Sequence, residues 1–145
     1  MSRCYADDEA IRRLGDRVLA CDLPKIEWTH AAHFAVALWI LRERAEIVPE
    51  RDMGAIIRAY NERTNTPNTD TSGYHETITQ ASLRAARAHM ASRPADEPLH
   101  LVVDALMAEM LGRSDWPMWF WSKPVLFSVE ARREWVEPDL KPLPW

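Results

Sequence analysis

Glycine is scarce in this chain, four in 145 residues, and no run of it forms the loop that cradles phosphates in nucleotide-binding proteins. The Gly-x-Ser-x-Gly elbow, the Cys-x-x-Cys pair and the His-Glu-x-x-His motif are also missing, so the usual nucleotide and protease classes lose weight. Only Cys4 and Cys21 are present, which makes no disulfide framework and leaves two free thiols in a reducing compartment. No apolar run approaches the roughly 20 residues of a bilayer span, and Met-Ser-Arg-Cys-Tyr-Ala at the amino end has no apolar signal region. A soluble, cytoplasmic protein without a membrane partner is expected. Lys and Arg number 18 against 22 Asp and Glu, spread along the chain with no basic stripe, so nucleic acid is not an expected partner either. No segment has the length and alternation of a strand, and no repeat is visible.

What remains is helical, and 47% hydrophobic content over this length suits one domain, residues 1–145, with a real core. A first helix is predicted over residues 7–21, with acids at its start and Ile11, Leu14, Val18 and Cys21 at helical spacing. Thr29 caps a second helix, to about Arg44, that is apolar on most sides and therefore central. Pro49 opens a third, to about Arg63; a fourth is predicted from about Ser72 to Met90 and a fifth from about Glu97 to Leu111, ended by Gly112. A helical turn at Trp116–Trp121, a short helix at 129–135 and an extended Pro-rich tail follow. The expected fold is all-α, an up-down helical bundle of four to five helices. Seven Trp is many for this length, and the grouping of Trp116, Trp119, Trp121 and Trp135 suggests a Trp-rich C-terminal cover.

Two runs carry the chemistry. Trp28-Thr29-His30-Ala31-Ala32-His33 opens the second helix, and Pro67 to Thr77, a turn-rich stretch, empties into the fourth with Tyr74, His75 and Glu76 in its predicted first turn. Short connections make successive helices antiparallel, which brings both amino ends to one end of the bundle. His30 and His33, spaced i, i+3, lie about 5–6 Å apart at their β-carbons, a separation suited to one metal ion, and His75 would complete a set of three nitrogen ligands. Glu76 becomes a fourth ligand or a general base, Tyr74 a substrate-facing phenol, and Cys21 a further thiolate candidate at the same end. The alternative is that these are buried or capping histidines bonded to the loop at residues 64–71. Below His75, the small and polar residues Thr79, Ser82 and Ala86 leave space for something bound.

Trp28-Thr29-His30-x-x-His33, Pro67-Asn68-Thr69, Gly73-Tyr74-His75-Glu76-Thr77 and Trp135-Val136-Glu137-Pro138-Asp139-Leu140 together resemble an uncharacterised family of small bacterial helical proteins, from about residue 22 onward. The resemblance implies a bacterial cytoplasmic protein and weight on the named positions, and supplies no reaction. The bundle end also looks loosely like the three-histidine metal site of DinB-type bundles, from which the spacing here departs. The leading expectation is a metal-dependent enzyme holding Zn or Fe through His30, His33 and His75 and acting on a small substrate, with an anion favoured by two helix amino ends. The alternative is a non-catalytic helical module that binds a small anionic ligand or a protein partner.

Overall fold

The computed structural model describes residues 3–145, and every regular element among them is helical. The main helices are α1 (Asp8–Leu19), α2 (His30–Glu43), α3 (Pro49–Arg63), α4 (Glu76–Ala91) and α5 (Leu99–Met107), followed by short α6 (Lys123–Leu126) and α7 (Val129–Arg133). Tight 3₁₀ turns sit at Lys25–Glu27, Met110–Gly112 and Trp116–Trp119. The all-α bundle and its aromatic C-terminal cover are as the sequence predicts. Among the described residues no helix is long and apolar enough to cross a membrane.

The core forms around α2. Its residues from Phe34 through Ile40 are buried without interruption, and it packs on α1, α3, α4 and α5. A helix enclosed on all sides needs no polar face, which is why its apolar residues show no stripe. Thr29 starts it by accepting a hydrogen bond from the Ala32 amide at 3.1 Å, and Asp7 does the same for α1 from the Ala10 amide. The cover closes the core through edge-to-face contacts of Trp116 with Phe120 and Trp145, and of Trp121 with Trp135.

α5 has Pro98 at its N-cap and no cap of its own. Asp8 of α1 supplies one from across the molecule: its carboxylate accepts from the Leu99 amide at 3.0 Å, the His100 amide at 2.8 Å and the His100 ring at 2.7 Å. Partial burial pushes that carboxyl up, but the bonds from His100 and Leu99 outweigh it and hold the group below its ordinary range.

Among the boundaries that differ from the sequence reading, three change the position of a residue discussed above, and the turn at Trp116 and the helix at Val129 each end two residues earlier than expected. α1 ends at Leu19, and Cys21 lies beyond it with φ +59°, so it is a turn residue and not part of the helix's inner row. α5 stops at Met107 because the chain folds back on its last turn, where a β-carbon on Gly112 would lie 1.9 Å from the Met107 carbonyl. α4 begins four residues later than expected, for reasons that belong to the site.

α1 reaches α2 most closely at Gly15, where an added β-carbon would stand 2.3 Å from the ring of buried Trp39. Gly15→Ala gains about 1 kcal/mol of helix propensity but overpacks a rigid indole, a cost of about 1–3 kcal/mol. The net expectation is a loss of up to about 2 kcal/mol, read as a lower urea midpoint with an unchanged slope; an increase would mean that the two helices separate freely.

Candidate functional site

Both histidines of the first run sit in the opening turns of α2, and each spends one nitrogen on the backbone. His30 donates from Nε2 to the Leu111 carbonyl at 2.7 Å and meets Phe34 edge-on at 5.5 Å. His33 donates from Nδ1 to the Thr29 carbonyl at 2.6 Å and stacks on Trp28, ring centres 3.8 Å apart. A carbonyl oxygen only accepts, so the tautomers are set: in the neutral form His30 keeps Nδ1 and His33 keeps Nε2 as bare acceptors. His33 presents part of its ring to solvent, yet the atoms packed around the remainder disfavour its charged form and push its pKa down; a charge on His30 acts in the same direction, and the Thr29 carbonyl opposes both.

The two rings line one cavity of about 380 Å³, a size typical of small-molecule sites. Val36 and Ala37 of α2, Met53 and Ile57 of α3, and Ile78 and Leu83 of α4 make apolar walls. Trp28, Phe34, Trp116 and Pro117 add aromatic and ring surfaces, and among the described residues the only hydroxyls are those of Thr79, Ser82 and Ser114. Among the described residues no Asp, Glu, Lys or Arg lines it. The amino-terminal halves of α2 and α4 thus do meet, and Thr79 and Ser82 do open a space between them.

His75 is elsewhere. It is the N-cap of α4, not a first-turn residue: its Nδ1 accepts from the Ile78 amide at 3.1 Å while Nε2 donates to the Leu126 carbonyl at 2.6 Å. Both nitrogens are consumed, the ring is buried, and burial, with the nearby Arg132 charge, holds its pKa below the ordinary value against the pull of the Leu126 carbonyl. Tyr74 and Glu76 pair with each other, the phenol donating to the carboxylate at 2.5 Å, and neither lines the cavity. Burial and that neighbouring carboxylate drive the Tyr74 phenol well above its usual pKa, and Arg58 lies over its ring at 4.3 Å. Among the described residues no three His, Cys, Asp or Glu side chains are arranged to hold a metal ion. The expected set of His30, His33 and His75 is therefore corrected to a pair plus a structural cap, because the loop before α4 delays the helix and turns His75 toward α6.

Asn68 builds that loop. Its Oδ1 accepts from the Asn61 side chain at 2.9 Å and the Tyr74 amide at 3.1 Å, and its Nδ2 donates to the Arg58 carbonyl. Thr69 receives the Thr71 and Ser72 amides, and Gly73 sits at φ +81° with no room for a β-carbon, which would lie 2.4 Å from the Pro67 carbonyl. The C-terminal segment then locks onto it. Arg132 donates to the Gly73 and Tyr74 carbonyls, Arg133 pairs with Asp70, and fully buried Thr77 donates to the Glu134 carbonyl at 2.8 Å while accepting the Val136 amide at 3.1 Å. Two of the motifs that carry the resemblance are thus halves of one clasp. Sequence reasoning missed Arg132 and Ser114 and gave Thr77 no role beyond its motif; Arg132 and Thr77 form long-range bonds that no local spacing reveals. His89 and His100 are scaffold residues, bonded to the Val102 carbonyl and to Asp8.

Compared with known proteins, the chain matches no family model, no curated protein and no solved structure.

Two measurements probe the clasp. Thr77→Val keeps shape but strands the Glu134 carbonyl and the Val136 amide, and is expected to cost about 2–3 kcal/mol in chemical denaturation. His75 has its folded pKa depressed, so the stability it contributes is complete above its unfolded value, about 6.5, and is lost as pH falls below that toward the folded pKa. Wild type should therefore lose thermal stability on acidification from neutrality, and His75→Asn, which still caps the helix, should show a shallower pH slope. An identical slope would remove His75 from this role.

Proposed function

We propose that the protein binds a small, predominantly apolar molecule in the cavity between α2, α3, α4 and the Trp116–Pro117 turn. The observation that carries this reading is the lining: aliphatic and aromatic walls with a few convergent polar groups and no carboxylate, ammonium or guanidinium. That lining favours an uncharged occupant over the anion suggested by the two helix amino ends. Of those ends, the one at α4 is already occupied by its own histidine cap.

A metal-dependent reaction at the same place would have His30 and His33 as its protein ligands, one free nitrogen each, and would need Zn or Fe to take its remaining positions from water and substrate. The binding reading needs no such completion and is the one adopted.

Thermal unfolding with 2-naphthol, a neutral bicyclic aromatic, tests it. At about ten times its Kd the probe is expected to raise Tm by a few degrees, and Ser82→Phe, which fills the cavity from α4, should abolish the rise while keeping the helical circular dichroism. Zinc with and without chelator should leave Tm unmoved. A metal-dependent rise lost in His33→Phe would instead favour the metal reading, and no response to any bicyclic aromatic would end the binding one.

A further inference from the structure

The histidine tautomers narrow what the cavity accepts. With His30 Nε2 given to the Leu111 carbonyl and His33 Nδ1 to the Thr29 carbonyl, the N–H of each neutral ring faces the protein backbone, and each has only a lone pair left to offer. From this we infer, resting on the binding reading above, that the occupant is a neutral aromatic hydrogen-bond donor, a phenol or a ring N–H compound, whose donor is received by the free nitrogen of His30 or His33.

Three observations converge on this class. The cavity offers no charged group to neutralise a carboxylate or an amine, so an ionised ligand would lose its hydration without a partner. Turning either ring to present its N–H to the cavity would break its bond to the Leu111 or Thr29 carbonyl. The rings of Trp28, Phe34 and Trp116 line the cavity and supply aromatic surface to an aromatic body. A ligand bearing only acceptors, such as an ether or ketone, would meet the two histidine lone pairs with its own and would depend on the hydroxyls of Thr79, Ser82 and Ser114 or on an indole N–H of Trp28 or Trp116.

Calorimetric titration of the full chain with 2-naphthol, 2-methoxynaphthalene and 2-naphthoate separates the possibilities. The naphthol is expected to bind about five- to tenfold tighter than its methyl ether, the size of one well-made neutral hydrogen bond, and the naphthoate weakest. His33→Phe retains the stack on Trp28, and His30→Phe retains the edge contact with Phe34. In at least one of them the naphthol-to-ether ratio should fall to about one, and the matching glutamine variant should recover part of the ratio through its carbonyl. Equal affinity for naphthol and ether overturns the donor assignment while leaving the apolar site standing, as does a ratio that survives both variants. Tightest binding of the naphthoate overturns it in favour of an anion. Failure of all three probes to bind removes the site itself.

Discussion

The bond from His75 to the Leu126 carbonyl holds the two halves of this molecule together. Its donor is one nitrogen of a buried ring whose other nitrogen caps the helix that leads into the core, so a single neutral imidazole couples the start of α4 to the C-terminal segment. Thr77 repeats the arrangement two residues along, with one oxygen that donates to the Glu134 carbonyl and accepts from the Val136 amide. The tail has little regular structure of its own, and these side chains satisfy backbone groups that its extended course leaves unpaired. The Trp cover is held in place by the same means, since the Trp121 ring N–H reaches the Val136 carbonyl at 2.9 Å.

The cavity depends on this anchoring. Trp116, Pro117 and Ser114, which close one side, belong to the segment between α5 and α6, and the opposing walls belong to α2, α3 and α4. Small residues at positions 37, 79 and 82 keep the facing turns of α2 and α4 from filling the gap, while the aromatic cover prevents its collapse from outside. The result is a space made by the main bundle and the cover jointly.

Helix type and order were legible because propensity, caps and apolar spacing agreed along each segment: Thr29 and Pro49 stand where the sequence puts them. The antiparallel argument also brought the first turns of α2 and α4 together correctly. It failed at His75, because helix-start signals in Thr71, Ser72 and Gly73 are used by a loop folded around Asn68 and Thr69, which shifts the helix by four residues and rotates the histidine away from the other two. Spacing along a chain reports which residues share a helix face. It carries no information on whether a side chain's nitrogens are already taken by carbonyls 51 or 81 residues away, and that occupancy separates a cap from a ligand.

The capping of α5 by Asp8 has a kinetic side. The amides of Leu99 and His100 find their acceptor 91 and 92 positions away, so α5, a nine-residue helix too short to be stable alone, has no N-terminal cap until α1 has docked. Closing so long a stretch of chain is entropically slow, and its reward arrives only when both ends are in place. The arrangement therefore ties the start of α5 to the docking of α1, and adds to the cooperativity that packing around α2 already supplies.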